Sequence, residues 1–212
     1  MNRKSVAVTL VTLVGNGLAL CGEIHKEATI GSANKAYVGA YYSLGENQLI
    51  AAARLGKIDV VERLLSNGDD VNAKDNDHRT SLHNAATNGD KGMVKLLLVN
   101  KADVNARNKF NFATPLHWAA GYGGNQDIVD MLLSYKAEVN ARDKDGRTPL
   151  HMAAMMDGSK KSVHYVDIIN VLLAKGADVN AKDNNDKTPL AVAESAGHKD
   201  RAAILRQHGG HE

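Results

Sequence analysis

In 212 residues the chain has one cysteine, three prolines, one tryptophan and two phenylalanines. A lone cysteine excludes a disulfide framework and any zinc site built on paired thiolates. Aromatics at 4% leave Ala, Leu, Val and Ile to build the core. Neither sign of charge dominates, since 26 Lys and Arg face 24 Asp and Glu. That balance argues against nucleic-acid binding, which draws its affinity from a basic surface neutralising phosphates. No long polar tract marks disorder, and no apolar run reaches the roughly 20 residues of a membrane span. Gly-x-Ser-x-Gly, His-Glu-x-x-His and a phosphate loop are all missing. The sequence therefore offers no catalytic constellation and calls for no cofactor. What remains is 43% hydrophobic residues, enough for one or two ordinary domains.

Residues 1–21 read as a secretory signal peptide. Arg3 and Lys4 form a short basic start, Val6 to Val14 is an unbroken run of Val, Ala, Thr and Leu, and Ala19 and Cys21 are small residues before a cut at Gly22. The competing reading is a lipoprotein signal with Cys21 acylated. Leu18-Ala19-Leu20-Cys21 resembles a lipobox, but Leu20 stands where that motif wants Gly or Ala. Without Arg3 and Lys4 the remaining chain carries 24 residues of each sign. The expected location is the periplasm or outside the cell, with lipid anchoring in the envelope as the alternative. Residues 22–44 fit no pattern and read as a leader segment.

A repeat governs the rest. Val-Asn-Ala begins at Val71, Val104, Val139 and Val179, in steps of 33, 35 and 40 residues. Thr80-Ser-Leu-His, Thr114-Pro-Leu-His, Thr148-Pro-Leu-His and Thr188-Pro-Leu-Ala keep the same beat, as do Leu pairs at Leu64, Leu97, Leu132 and Leu172. Periods in the thirties mean stacked supersecondary units. Thr before Pro is a helix start, the hydroxyl capping free N–H groups and Pro having none to waste. Ala pairs such as Ala85-Ala86 let helices approach closely. Gly56, Gly89, Gly123 and Gly197 are expected to turn the chain into a second helix, patterned like Val60, Val61, Leu64 and Leu65. Gly68 and Gly176 suit a left-handed helix end, which places Lys101 and Lys136 in that conformation too. Polar turns such as Asp143-Lys-Asp-Gly146 lead into the next unit.

These phrases resemble the ankyrin repeat, whose signature is Thr-Pro-Leu-His-x-Ala. The resemblance covers about Leu44 to Gly210. It implies an all-α solenoid of about five helix–turn–helix units with projecting β-hairpin loops, at 45–74, 75–107, 108–142, 143–182 and 183–212. The first unit keeps only Asn47-Gln48-Leu49-Ile50 of the phrase and suits a cap. The fifth carries Arg201 and Arg206 where inner units have Ile or Leu, which is expected to give a polar outer face. Unit three has one extra residue in the Asn108–Ala113 loop and one at Gly123-Gly124. Unit four has about seven extra between its helices, around Asp157 to His164, and there Lys160, Lys161 and His164 either meet an acidic partner or form a solvated loop.

The recurring His83, His117 and His151 invite a metal reading. Stacked helices lie roughly 8–10 Å apart, too far for nitrogens that each sit about 2.1 Å from one zinc. The resemblance instead implies hydrogen bonds within the Thr-Pro-Leu-His turn, so no metal is expected. His208 and His211 with Gly209-Gly210 read as a flexible tail with incidental metal affinity at most. The Asp/Asn-rich hairpins lack the ligand spacing of a calcium loop.

Family members typically bind another protein through a concave face of hairpin tips and first helices, without turnover, and this chain is expected to do so as a monomer. Phe110 and Phe112 fall in a projecting loop, alternating as on a strand and so facing one side. Tyr122 and the pair Met155 and Met156 fall on the groove wall, and Arg79 and Arg147 on hairpin loops. These seven are the expected partner-binding residues. The plainer alternatives are a loop folded back over its neighbours and simple exposure of the helix residues. Trp118 is expected in the core. A structural spacer, or an accessory or effector protein of an envelope or host pathway, is the rival function.

Overall fold

The computed structural model describes residues 47–123, 125–157 and 165–212, and the backbone pairing of two short strands, β1 (Leu13–Val14) and β2 (Gly17–Leu18). These strands are antiparallel, Leu13 opposite Leu18 and Val14 opposite Gly17. They belong to a first unit, Met1–Tyr41, and the repeats to a second, Tyr42–Glu212. The expected signal peptide with Cys21, the leader, and Lys160, Lys161 and His164 otherwise lie outside the described residues.

The described repeats are ten helices in five pairs. They are α1 (Gln48–Arg54) with α2 (Ile58–Ser66), α3 (Ser81–Asn88) with α4 (Lys91–Val99), and α5 (Pro115–Trp118) with α6 (Gln126–Ser134). Then follow α7 (Pro149–Met155) with α8 (Tyr165–Ala174), and α9 (Pro189–Ser195) with α10 (Lys199–Gln207). Each first helix buries a Leu two residues after its cap, as at Leu82, Leu116 and Leu150, and Ala pairs such as Ala85-Ala86, Ala119-Ala120 and Ala153-Ala154 are buried beside it. The second helices contribute Leu97, Leu132 and Leu172. One core runs through all five pairs, each fully buried Leu contributing about 2 kcal/mol.

Helix starts follow the Thr chemistry. Thr80, Thr114 and Thr148 each form a reciprocal capping box with the His three residues on. Thr188, followed by Ala191, caps through its hydroxyl alone. The ends follow glycine at Gly56, Gly89 and Gly197, with φ of 68°, 72° and 77°. Lys101 and Lys136 adopt φ of 66° and 69°, the left-handed conformation that Gly68 and Gly176 take in the neighbouring units.

Gly123 departs from expectation. It does not turn the chain; the extra residue of unit three is absorbed by a π-helical segment, Ala119–Gly123, that continues α5. Glycine is needed there for space, because a Cβ would overlap the Ala86 carbonyl oxygen of the preceding unit.

Two further sets of bonds join successive units. The Asn of each Val-Asn-Ala phrase reaches forward: Asn105 Nδ2 donates to Lys136 O at 3.3 Å and its Oδ1 accepts from Glu138 N at 2.9 Å. Asn72, Asn140 and Asn180 do the same to the units that follow them. The last of these bonds holds His211, whose carbonyl also accepts from the Thr188 hydroxyl. The 208–211 segment is therefore docked on the array rather than free. The projecting loops are joined main chain to main chain, Lys109 N to Asp77 O, Lys144 N to Asn111 O and Asn184 N to Asp145 O.

Candidate partner-binding face

The loops begin with a carboxylate or amide that organises its own turn. Asp75, Asp143 and Asp183 each accept from the N–H groups two and four residues on. Each loop then passes through one left-handed residue, His78, Gly146 or Asp186. In unit three the extra residue precedes that point, so Phe112 occupies it with φ of 55°. Phe110 and Phe112 thus lie on a turn and not on an extended strand, and the alternation expected of them does not apply. Both are exposed, at 64% and 47%. A left-handed backbone costs a residue with a Cβ about 1–2 kcal/mol. Burying half a Phe side chain contributes about 1 kcal/mol. The two roughly cancel, so folding alone does not account for Phe112.

Trp118 corrects the core reading. It is half-buried and stands outside the core cluster. With 3.6 residues per turn, position 118 lies about 200° around the helix from the buried Leu116. Its ring packs on Tyr122, centroids 5.3 Å apart and planes 35° apart, and the Arg79 guanidinium lies 5.7 Å from its centroid. The indole Nε1–H is covered yet has no acceptor among the described residues. Tyr122 is 46% exposed.

The other expected residues are more engaged. Met155 and Met156 are half-buried against the core, so they supply little free surface. Arg79 pairs with Asp77 at 2.8 Å. Arg147 pairs with Asp145 at 3.3 Å and lies 4.0 Å from Asp183. Both guanidinium groups are fixed over the loops. Leu55, Val99 and Tyr135 are exposed singly at helix ends.

The histidines are structural, and they do more than the turn requires. Nδ1 of His83, His117 and His151 accepts the N–H of Thr80, Thr114 and Thr148, each at 3.1 Å. That leaves Nε2–H to donate to the next unit, at Ala113 O (3.2 Å), Arg147 O (3.1 Å) and Lys187 O (3.0 Å). Burial pushes His83 and His117 down from 6.5 to about 4, and lowers His151 too. No group of three metal-ligating side chains occurs among the described residues, and no described helix is long and apolar enough to cross a membrane.

Arg201 overturns the expected polar outer face. It is 6% exposed, and its Nη1 donates to Ala153 O, Ala154 O and Met156 O at 3.0, 3.3 and 2.6 Å. The reason lies in unit four, where the residue that caps the first helix is Met156. Met156 leaves α7 in an extended conformation, and the orphan carbonyls are taken by Arg201 and, at Met155 O, by His198. Arg206 is exposed and pairs with Glu194.

The fold and face define a solenoid of stacked helix pairs with a row of loops along one edge. The chain belongs to the ankyrin-repeat family, whose model, ankyrin repeats in three copies, matches residues 14–108, 49–143, 82–183 and 116–212. It is 33% identical over 122 residues to alpha-latrotoxin-Lg1a of Latrodectus geometricus, 57% of this chain and 9% of the toxin. It is 42% identical over 77 residues to neurogenic locus notch homolog protein 1 of Xenopus laevis, 36% of this chain and 3% of that protein. Over 65 residues it is 43% identical to putative glutaminase 2 of Caenorhabditis elegans, 30% of this chain and 11% of that protein. The chain thus spans a small fraction of each relative's length. Ankyrin repeats are generally protein–protein interaction modules, and the family is typically non-catalytic.

Proposed function

We propose that this chain is a monomeric, non-catalytic module that captures one partner protein through its middle repeat, with Phe110, Phe112, Tyr122 and Trp118 at the centre of the contact. The observation that carries the reading is Phe112: a bulky apolar residue, exposed, on a left-handed backbone. Such strain is retained where surrounding structure enforces it, often at binding sites. Aromatic anchors ringed by charge are the usual make-up of an interface hot spot, and Arg79, Lys109 and Arg147 supply such a rim. Met155, Met156, Arg79 and Arg147 act as supporting contacts.

The test is capture from an envelope extract by the mature chain, compared with a Phe110→Ala/Phe112→Ala variant. Loss of capture with a melting curve near wild type supports the reading. Unchanged capture with lower stability assigns both rings to packing. A pure spacer would show no dependence on either ring.

The module is exported in this reading, with residues 1–21 removed. Intact-mass measurement decides between an N-terminus at Gly22 and an acylated Cys21, and an uncleaved Met1 species in the cytosol refutes both.

A further inference from the structure

Units three and four each carry extra residues between their paired helices, and a single chain of contacts runs from the π-helical segment of unit three to the described residues that flank the extra ones of unit four. In unit three the π-helical segment places the Gly121 carbonyl in the interior, where the Tyr165 hydroxyl donates to it at 2.8 Å. Tyr165 opens α8, in the unit beyond, and is buried. Its ring carries the Arg201 guanidinium of the fifth unit, Cζ 3.9 Å from the centroid. Arg201 is in turn fixed on three carbonyls at the end of α7. Gly121 is closed in on its other side: a Cβ there would meet Met152 Cε at 3.2 Å and Met156 Cγ at 3.3 Å.

Arg201 occupies the register of Met93, Ile128 and Ile168, all fully buried and apolar. A buried guanidinium is a costly choice at such a position, where a hydrophobic residue of similar volume is often as stable or more so. No carboxylate lies within ion-pair distance of it among the described residues. It is held by carbonyl dipoles and by the face of Tyr165.

The segment this chain of contacts pins is the one that sets Tyr122 against Trp118. π-Helical turns are rare and recur at functional sites. We propose that Tyr165, braced by Arg201, is a positioning residue: its hydroxyl on Gly121 O holds the π-helical segment in the register that stacks Tyr122 on Trp118. The value of that stack to binding rests on the reading of this wall as part of the contact surface. The stack itself is present in the free chain, so it is tested there.

Trp118 is the sole tryptophan, so its emission reports on this position, and the tryptophan bands of the near-ultraviolet circular dichroism, read apart from the tyrosine bands that Tyr165→Phe also changes, carry its coupling to Tyr122. Tyr165→Phe removes one hydroxyl and keeps the ring under Arg201. The expected result is a shifted emission and loss of the Trp–Tyr coupling, with far-ultraviolet helicity unchanged. Arg201→Lys keeps the charge but not the flat stack on the ring, and it is expected to move the same signals part of the way. Wild-type Trp118 spectra in both variants overturn the proposal, whatever their stability. Should Tyr165→Phe not fold, Arg201→Lys decides on the same spectra. Altered spectra with intact capture uphold the positioning role and remove this wall from the binding surface. Unaltered spectra with capture still dependent on Phe110 and Phe112 do the reverse.

Discussion

Acid should separate the repeats before it protonates most carboxylates, because three buried histidines join unit to unit in their neutral form. His83 and His117 have folded values of about 4 against 6.5, and the cause is burial, which the backbone carbonyl accepting from Nε2–H offsets only in part. The unfolded chain binds more protons between these limits, so stability rises with pH across that window. It is complete above about 6.5 and lost as pH falls toward about 4. A gap of about 2.5 pH units corresponds to roughly 3 kcal/mol per residue. About 2 kcal/mol of that is gone from each at pH 5. Two such residues remove about 4 kcal/mol from a total that is commonly 5–15 kcal/mol, and His151 adds to the loss in the same direction. Asp143, held up by burial, and the exposed Glu212, held up by Glu194, oppose it, while Asp183, whose carboxyl is lowered, adds to it. Urea midpoints at pH 7.5, 6 and 5 measure the effect, and a His83→Asn/His117→Asn variant should show a flatter profile. A midpoint that does not move between pH 7.5 and 5 refutes the reasoning.

Lys101→Gly and Lys136→Gly should each raise stability by up to about 1 kcal/mol by removing the left-handed Cβ penalty, partly offset by a freer unfolded chain. Denaturant midpoints that fall for both contradict this. Asn105→Ala deletes two exposed bonds between units three and two and should cost about 1–2 kcal/mol, read as a lower urea midpoint with unchanged helicity.

The repeat frame was legible because its signals are local: Thr-Pro caps, glycine at helix ends and Leu spacing each act within one turn of the chain. The left-handed Lys101 and Lys136 followed from the same register. The Asn of Val-Asn-Ala was visible as a repeated letter, yet its bonds run to residues some thirty positions on, where sequence spacing says nothing about geometry. Trp118 was misplaced because the family resemblance implied packing at that position, while the helical angle from Leu116 turns it outward. Arg201 was misread for a related reason. A charged residue in an apolar register suggests an outer face, and only the extended backbone of Met156 at the end of α7 shows which carbonyls need a donor. Of the candidate face, the exposure of Phe110, Phe112 and Tyr122 was legible, and the strain at Phe112 and the stack on Trp118 were not.

The most direct test of binding through the middle repeat is photocrosslinking of the partner from two positions of the array. A benzophenone amino acid replaces Phe110 in one protein and Val99, exposed at the end of the second helix α4, in another. Binding as proposed gives an adduct from position 110 and none from position 99. An adduct from position 99 alone, or equal yields from both, contradicts it.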